Sequence, residues 1–377
     1  MASCPADCSP GGFCIDETDC EFGICVVDCD GDCNSLATTG NGCQPAYNCE
    51  GHDYDGGDCG AEALTAVQTF SASQNMGCAI NISNGLSCWR FVGNLAVGWT
   101  YEPLALQDDD GPFAVVSVTL DMVHAVGFGG ELYRWDGNGA TQPVTGLEGM
   151  AWTSVAGNAP GQSHEACGIH GDDGALSCWG WSEWGELVTY GGPEGTDWQV
   201  VSMAGDRACG LHGDQALSCW YAMGDAAGGA LSTPSHTGWT AVSAGGAQAC
   251  GIHGEDELAC WWIWEGSGGG AVPTPTGAHW ASVSVGDGTR ACGVHDGGEL
   301  SCWEQVDDAP KPVLVNAAPP GGEALPGGAI EVTVEDNTVC ALYAEGELAC
   351  WTWQYEGAAD APYLIPLPVS ADVVVNH

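Results

Sequence analysis

The stretch Cys209-Gly-Leu-His-Gly-Asp-Gln-Ala-Leu-Ser-Cys219-Trp220 reads as a tight hairpin. Its apolar residues alternate, the period of a strand, and its Gly/Asp-rich middle supplies the turn. Folding about Asp214 sets Cys209 opposite Cys219 and Leu211 opposite Leu217. The cysteines then face each other across neighbouring strands, where a disulfide can close. A second copy runs Cys250-Gly-Ile-His-Gly-Glu-Asp-Glu-Leu-Ala-Cys260-Trp261, and further copies start at Cys78, Cys167, Cys292 and Cys340. A seventh starts at His124 and ends Arg134-Trp135, with both cysteines replaced. The starting positions are spaced by 46, 43, 42, 41, 42 and 48 residues. A period of that size marks a propeller or a solenoid.

A strand of the form Trp-x-x-Val precedes the hairpin: Trp152 with Val155, Trp198 with Val201, Trp239 with Val242, Trp280 with Val283. Small residues such as Ser243-Ala-Gly-Gly-Ala-Gln link the two. The connections are rich in Gly and Pro and lack helical periodicity, so helices should be few. Small sheets around an axis need circular closure to hide their edges. The strand-like end Pro368-Val-Ser-Ala-Asp-Val-Val-Val is expected to give an outer strand to the first sheet. Six predicted bridges, Cys78–Cys88, Cys167–Cys178, Cys209–Cys219, Cys250–Cys260, Cys292–Cys302 and Cys340–Cys350, each constrain a short loop. The His124 copy lacks one and should be the softest unit.

Tryptophan follows the second cysteine position at 89, 135, 179, 220, 261, 303 and 351. Seven homologous indoles suggest packing between sheets; the alternative is a ring of ligand contacts. Trp181, Trp184, Trp262, Trp264 and Trp353 do not repeat in register. Of these, Trp184, Trp264 and Trp353 are the candidate contact aromatics, although burial under a loop is the favoured reading. His170, His212, His253 and His295 share one repeat position, where Asn81 and Tyr343 stand in other copies, which fits a structural role at the hairpin edge. On successive blades they lie too far apart to share one metal ion.

Against 50 acidic residues the 377-residue chain sets one lysine, Lys311, and four arginines, for a net charge of −45. Such a surface repels phosphate backbones and anionic membranes and suits divalent cations, basic partners or high salt. Nucleic-acid binding and membrane insertion are excluded as expectations, and no apolar run is long enough to span a bilayer. Ten of the 22 cysteines precede residue 60 and twelve sit in hairpins. Even, paired usage points to disulfides and an extracellular or cell-surface location. The start Met-Ala-Ser-Cys-Pro lacks the basic and apolar regions of a signal peptide, which is expected to have been removed or left off.

The order Trp-x-x-Val, Gly-rich segment, Cys-Gly-Ile-His…Leu-Ser-Cys-Trp resembles regulator-of-chromosome-condensation repeats over residues 64–377, most closely the secreted bacterial variety. That resemblance implies a seven-bladed β-propeller. The family's Gly-Gln-Leu-Gly stretch is largely missing, with Trp184-Gly-Glu-Leu the nearest remnant, so blade edges should be trimmed or irregular. The eukaryotic member acts on a small nuclear GTPase and chromatin, against which the acidity and cysteines argue here.

Residues 1–62 form a different unit, rich in cysteine and poor in apolar residues, hence held by bridges rather than a core. Cys29-Asp-Gly-Asp-Cys33-Asn34, followed by His52-Asp53-Tyr54-Asp55-Gly56-Gly57-Asp58-Cys59, resembles a Lin-12/Notch repeat over residues 25–59. By position the resemblance makes Asp55 and Asp58 calcium ligands, with Asn34 in the place of a family Asn. Carboxylates three apart, with glycines freeing backbone carbonyls, suit a hard cation; Asp53 and Asn48 are weaker additions. The alternative is an acidic surface turn without metal.

The sequence shows no Gly-x-Ser-x-Gly elbow, His-Glu-x-x-His helix or phosphate loop. Acid runs at 108–110 and 307–308 read as solvated loops. The expectation is an all-β protein: a calcium-binding head at 1–62 and a seven-bladed propeller at 63–377. Its expected role is extracellular or cell-surface binding and scaffolding through a protein partner or self-association, as in a surface fibre, and not catalysis. The alternatives are a secreted inhibitor, since a propeller of the resembled family blocks beta-lactamases, and a propeller lyase or hydrolase.

Overall fold

The computed structural model describes residues 67–367 apart from connecting segments, chiefly 95–97, 108–110, 158–164, 182–185, 265–267, 316–327 and 355–362, and isolated positions. It also describes three head strands, Cys14–Ile15, Ile24–Val27 and Cys33–Ser35, paired as one antiparallel sheet. Every described element is a β-strand, and seven blades follow one another around a propeller. No described helix is long and apolar enough to cross a membrane.

Blade four shows the plan. Its strands Trp198–Ala204, Arg207–His212, Ala216–Tyr221 and Ala230–Leu231 pair antiparallel in sequence order. Cys209 lies directly opposite Cys219 and Leu211 opposite Leu217. All six expected cysteine pairs are bonded, each with Cα atoms 4.0 Å apart. The outer strands vary as the missing Gly-Gln-Leu-Gly stretch suggests. They shrink to two residues in blades four and five, and to a single Trp135–Thr141 bridge in blade two. The outer strands of blades six and seven, Ala309–Val315 and Tyr363–Leu367, instead pair in parallel and join those blades into one sheet.

The seams repeat as faithfully as the blades. In blade five, Trp239 and Trp261 pack on Cys209, Leu211 and Cys219 of blade four. The same contact, one blade's bridge against the next blade's tryptophans, recurs at five other seams. The seven homologous tryptophans are all buried, which makes them inter-blade packing residues, as their repetition suggested. At the seam between blades two and three, Val126 and Leu132, the counterparts of Leu211 and Leu217, pack against Trp152 and Trp179 without a bridge beside them.

A second repeated device joins the blades through the backbone. The turn between second and third strands ends on a residue with positive φ: Asn84, Gly130, Gly174, Gln215, Asp256, Gly298 or Gly346. Its carbonyl accepts the amide of the next blade's first residue, from Phe113, Trp152, Trp198, Trp239, Trp280, Ala329 and Val67 respectively, at 2.9–3.2 Å. The left-handed conformation turns the carbonyl out of its own hairpin, which explains the Gly, Asn and Asp there. The Val67–Gly346 bond closes the ring with the contact that every other seam uses. The outer strand expected from the chain end, at residues 368–377, falls outside the described residues. Blade one holds four strands of its own, 67–72, 76–81, 86–94 and 98–104.

Candidate functional site

The repeated histidines are absorbed by the blades. Each lies against the first-strand tryptophan: His170 on Trp152, His212 on Trp198, His253 on Trp239 and His295 on Trp280. Three also bond a serine on the neighbouring strand, His170–Ser177 and His212–Ser218 at 2.8 Å and His295–Ser301 at 2.7 Å. Ala259 takes the serine's place in blade five, and His253 stacks on His236 at 4.1 Å instead. The glycine of each Cys-Gly-x-His serves the same tryptophan. A Cβ on Gly210 would stand 2.8 Å from the Trp198 ring and 2.7 Å from the Val200 carbonyl.

Blade two replaces its bridge by His124 opposite Arg134, both buried. Burial lowers the Arg134 pKa to about 10, against the opposing pull of Asp121 and Asp136. The aromatic group Phe113, Tyr133 and Trp135 packs around the same strands.

Of the candidate contact aromatics, Trp264 is exposed, at 48%. Trp353 is not: it is 3% exposed, with the Arg290 guanidinium 5.3 Å above its ring. The third strand of blade seven explains the correction. Residues 351 and 353 are two apart, so both side chains point into the seam. Trp184 lies outside the described residues, as do the head positions Asp53, Asp55 and Asp58; Asn34 falls in a head strand whose side chains are not described.

The propeller has two unlike faces. First strands begin, and second strands end, at the hairpin tips, as the pairs Trp152–His170 and Trp198–His212 show. That tip face carries exposed Glu131, Asp172, Asp173, Asp214, Glu255, Asp256, Asp296 and Glu299. None of the chain's five bases stands there. Arg207 and Arg290 begin second strands at the opposite face, Arg90 pairs with Met76 at the start of another, and Lys311 pairs with Glu304 opposite Arg290. Arg134 is in mid-blade. Exposed Phe128 sits at the tip of blade two, and Trp264 follows the third strand of blade five on the other face.

First strands line a central channel of about 330 Å³. Five serines form a girdle in it, each accepting an amide of the next blade: Ser71 from Val118, Ser117 from Gly157, Ser202 from Ala244, Ser243 from Val285 and Ser284 from Val334, at 2.8–2.9 Å. Ala156 takes the serine's place in blade three. Among the described residues only two charged ones line the channel, Glu331 and Glu335, both from blade seven. Burial alone raises the Glu331 carboxyl to about 7. Thr69 and Ser282, from the two adjoining blades, line the channel at the equivalent position. Sequence reasoning missed this residue, although aligning the repeats exposes it. The position before the Val of Trp-x-x-Val reads Thr69, Val115, Ser154, Val200, Ala241, Ser282 and then Glu331.

No protein-family model matches the chain, and no match was found among curated proteins. Solved structures do match. Human WBSCR16 is similar at 13% identity over 74% of this chain and 87% of that one, with a TM-score of 0.53. The computationally designed Ika8 protein is similar at 14% identity over 78% and 92%, with a TM-score of 0.51. Yeast RCC1 (Prp20) also matches, at 12% identity over 83% and 88%, with a TM-score of 0.49. At such identities the likeness concerns the fold alone, and function rests on the site.

Proposed function

We propose that this chain is an extracellular binding and scaffold protein whose propeller recruits a basic protein partner on its tip face. The segregation of charge carries the reading: acids crowd the tips while all five bases lie elsewhere. Such a face steers cationic partners toward it and repels acidic ones. Six disulfides fit an oxidising environment outside the cell. The tip face also disfavours one route to a fibre, because the head carries acids and no lysine or arginine. Head-on-tip docking then needs a bridging cation.

One observation favours an enzyme: a channel carboxylate with a raised pKa is the sort of group catalysis uses. Among the described channel-lining residues its only titratable companion is Glu335, four residues along the same strand, roughly 13 Å away at strand rise. General acid–base chemistry needs closer partners, so binding remains the conclusion.

The test is capture from the native extracellular fluid on immobilised full chain, beside a variant with Asp172, Asp173, Asp214, Glu255, Asp256 and Asp296 changed to Asn or Gln. The reading expects a basic protein retained at low salt, released as salt rises, and lost with the variant. Equal retention by both proteins would overturn it.

A further inference from the structure

We propose that the central channel binds the terminal ammonium of an alkylamine, entering from the tip face and seated against Glu331 between Thr69 and Ser282. The inference goes beyond the partner-binding reading, because it concerns a single interior site rather than the surface.

The wall supplies the argument. Glu331 is the third residue of the strand Ala329–Glu335, which starts at the tip face, so its carboxylate lies just inside that mouth. Among the described residues no hydrogen bond or ion pair engages it, and its raised pKa has burial as its only cause. An acid left alone in a half-buried wall is costly and needs a counter-charge. On either side the neighbouring blades offer hydroxyls, Thr69 and Ser282, which line the channel with Glu331, while the other blades carry Val115, Ser154, Val200 and Ala241 at the equivalent position. The Ser282 hydroxyl accepts the Val332 amide at 3.3 Å and keeps a second lone pair.

The donor set selects the ligand. An ammonium brings three N–H donors and one compact charge, matching one carboxylate and two hydroxyls. A calcium ion asks for six to eight oxygens, commonly from several carboxylates, and this mouth has one. Val116, Val155, Val201, Val242 and Val283 border the channel but are buried in the seams, so the wall that an alkyl stem meets is largely backbone and serine. The volume of about 330 Å³ lies at the lower end of small-molecule sites. The acidic tips around the mouth raise the local concentration of cations.

The probe is n-pentylammonium, titrated calorimetrically into the full chain at low salt and pH 8, where Glu331 is ionised. Glu335 and Tyr343 are the other titratable groups on or beside this strand, and burial pushes the Tyr343 phenol up, away from that range. The expected result is one saturable site per chain, weakened at least tenfold in Glu331→Gln and less than twofold in Glu335→Gln. Tetramethylammonium, with the same charge and no N–H, should bind at least tenfold more weakly than the probe. Absence of a saturable site, or unchanged affinity in Glu331→Gln, would overturn the proposal. Glu331→Gln is isosteric and removes a buried charge, so it keeps the fold, which a thermal melt verifies. Competition by Nα-acetyl-lysine methylamide assigns the site to a partner's lysine, and its failure to compete assigns it to a free amine; both support the proposal. Capture of a basic protein by Glu331→Gln at wild-type level leaves the tip-face reading intact, so the two can fail separately.

Discussion

Removing the bridge of blade four, as Cys209→Ala with Cys219→Ala, tests the physics of the whole ring. The two cysteines are ten residues apart in sequence. In the chain-entropy relation a loop of that length constrains the unfolded chain by about 2.7 kcal/mol at 25 °C. The bridge also packs against Trp239 and Trp261 of the next blade, so its removal leaves a gap at the seam that adds roughly 1 kcal/mol or more. The expected loss is therefore about 3–4 kcal/mol, read as a lowered midpoint in guanidinium unfolding followed by tryptophan fluorescence. Six such loops together amount to about 16 kcal/mol, as large as the whole net stability of an ordinary domain. Full reduction should consequently unfold the propeller rather than soften it. A midpoint that stays within error of wild type, or a reduced protein with an unchanged melt, would refute the reasoning.

Blade two should gain from the reverse change: His124→Cys with Arg134→Cys places two thiols directly opposite, and the oxidised variant should unfold later by up to about 2–3 kcal/mol. Ser243→Ala deprives the Val285 amide of its acceptor and should cost about 1 kcal/mol, whereas Ala156→Ser restores the missing girdle position; both are read by urea unfolding. Gly210→Ala drives a methyl against Trp198 and a backbone carbonyl and should lower stability by about 1–3 kcal/mol in the same assay. Glu331 carries a pH signature. Its folded pKa of about 7 exceeds the ordinary 4.5, so ionisation opposes folding. The penalty is absent below pH 4.5, grows as pH rises to 7 and is complete above it, reaching about 3 kcal/mol. Glu331→Gln should accordingly match wild type at pH 4 and exceed it at pH 8. For the head, the calcium proposal expects isothermal titration to show calcium uptake by the full chain that disappears in Asp55→Asn with Asp58→Asn.

The Cys-Gly-x-His hairpin was readable because a disulfide demands directly opposed residues and a tight turn demands Gly or Asp, and both are local constraints. The recurring Trp after the second cysteine was readable for a related reason: one packing problem, met seven times, keeps one solution. Trp353, a candidate contact residue because it departs from the repeat, is buried as the favoured reading had it, and strand alternation from the buried Trp351 turns it into the seam. The closure bond from Val67 to Gly346 was not readable, because it joins adjacent blades whose residues lie far apart in the sequence.

By itself, then, the sequence determined the unit, its count, its bridges and the missing bases, since each follows from spacing or composition. Tertiary structure alone decided the rest. Charges scattered along 377 residues become one acidic face only when the tips align, and Glu331, one acid among 50, becomes distinct only where seven first strands meet around an axis. The reason is that desolvation and field depend on neighbours in space, and those neighbours are brought together by ring closure rather than by chain order.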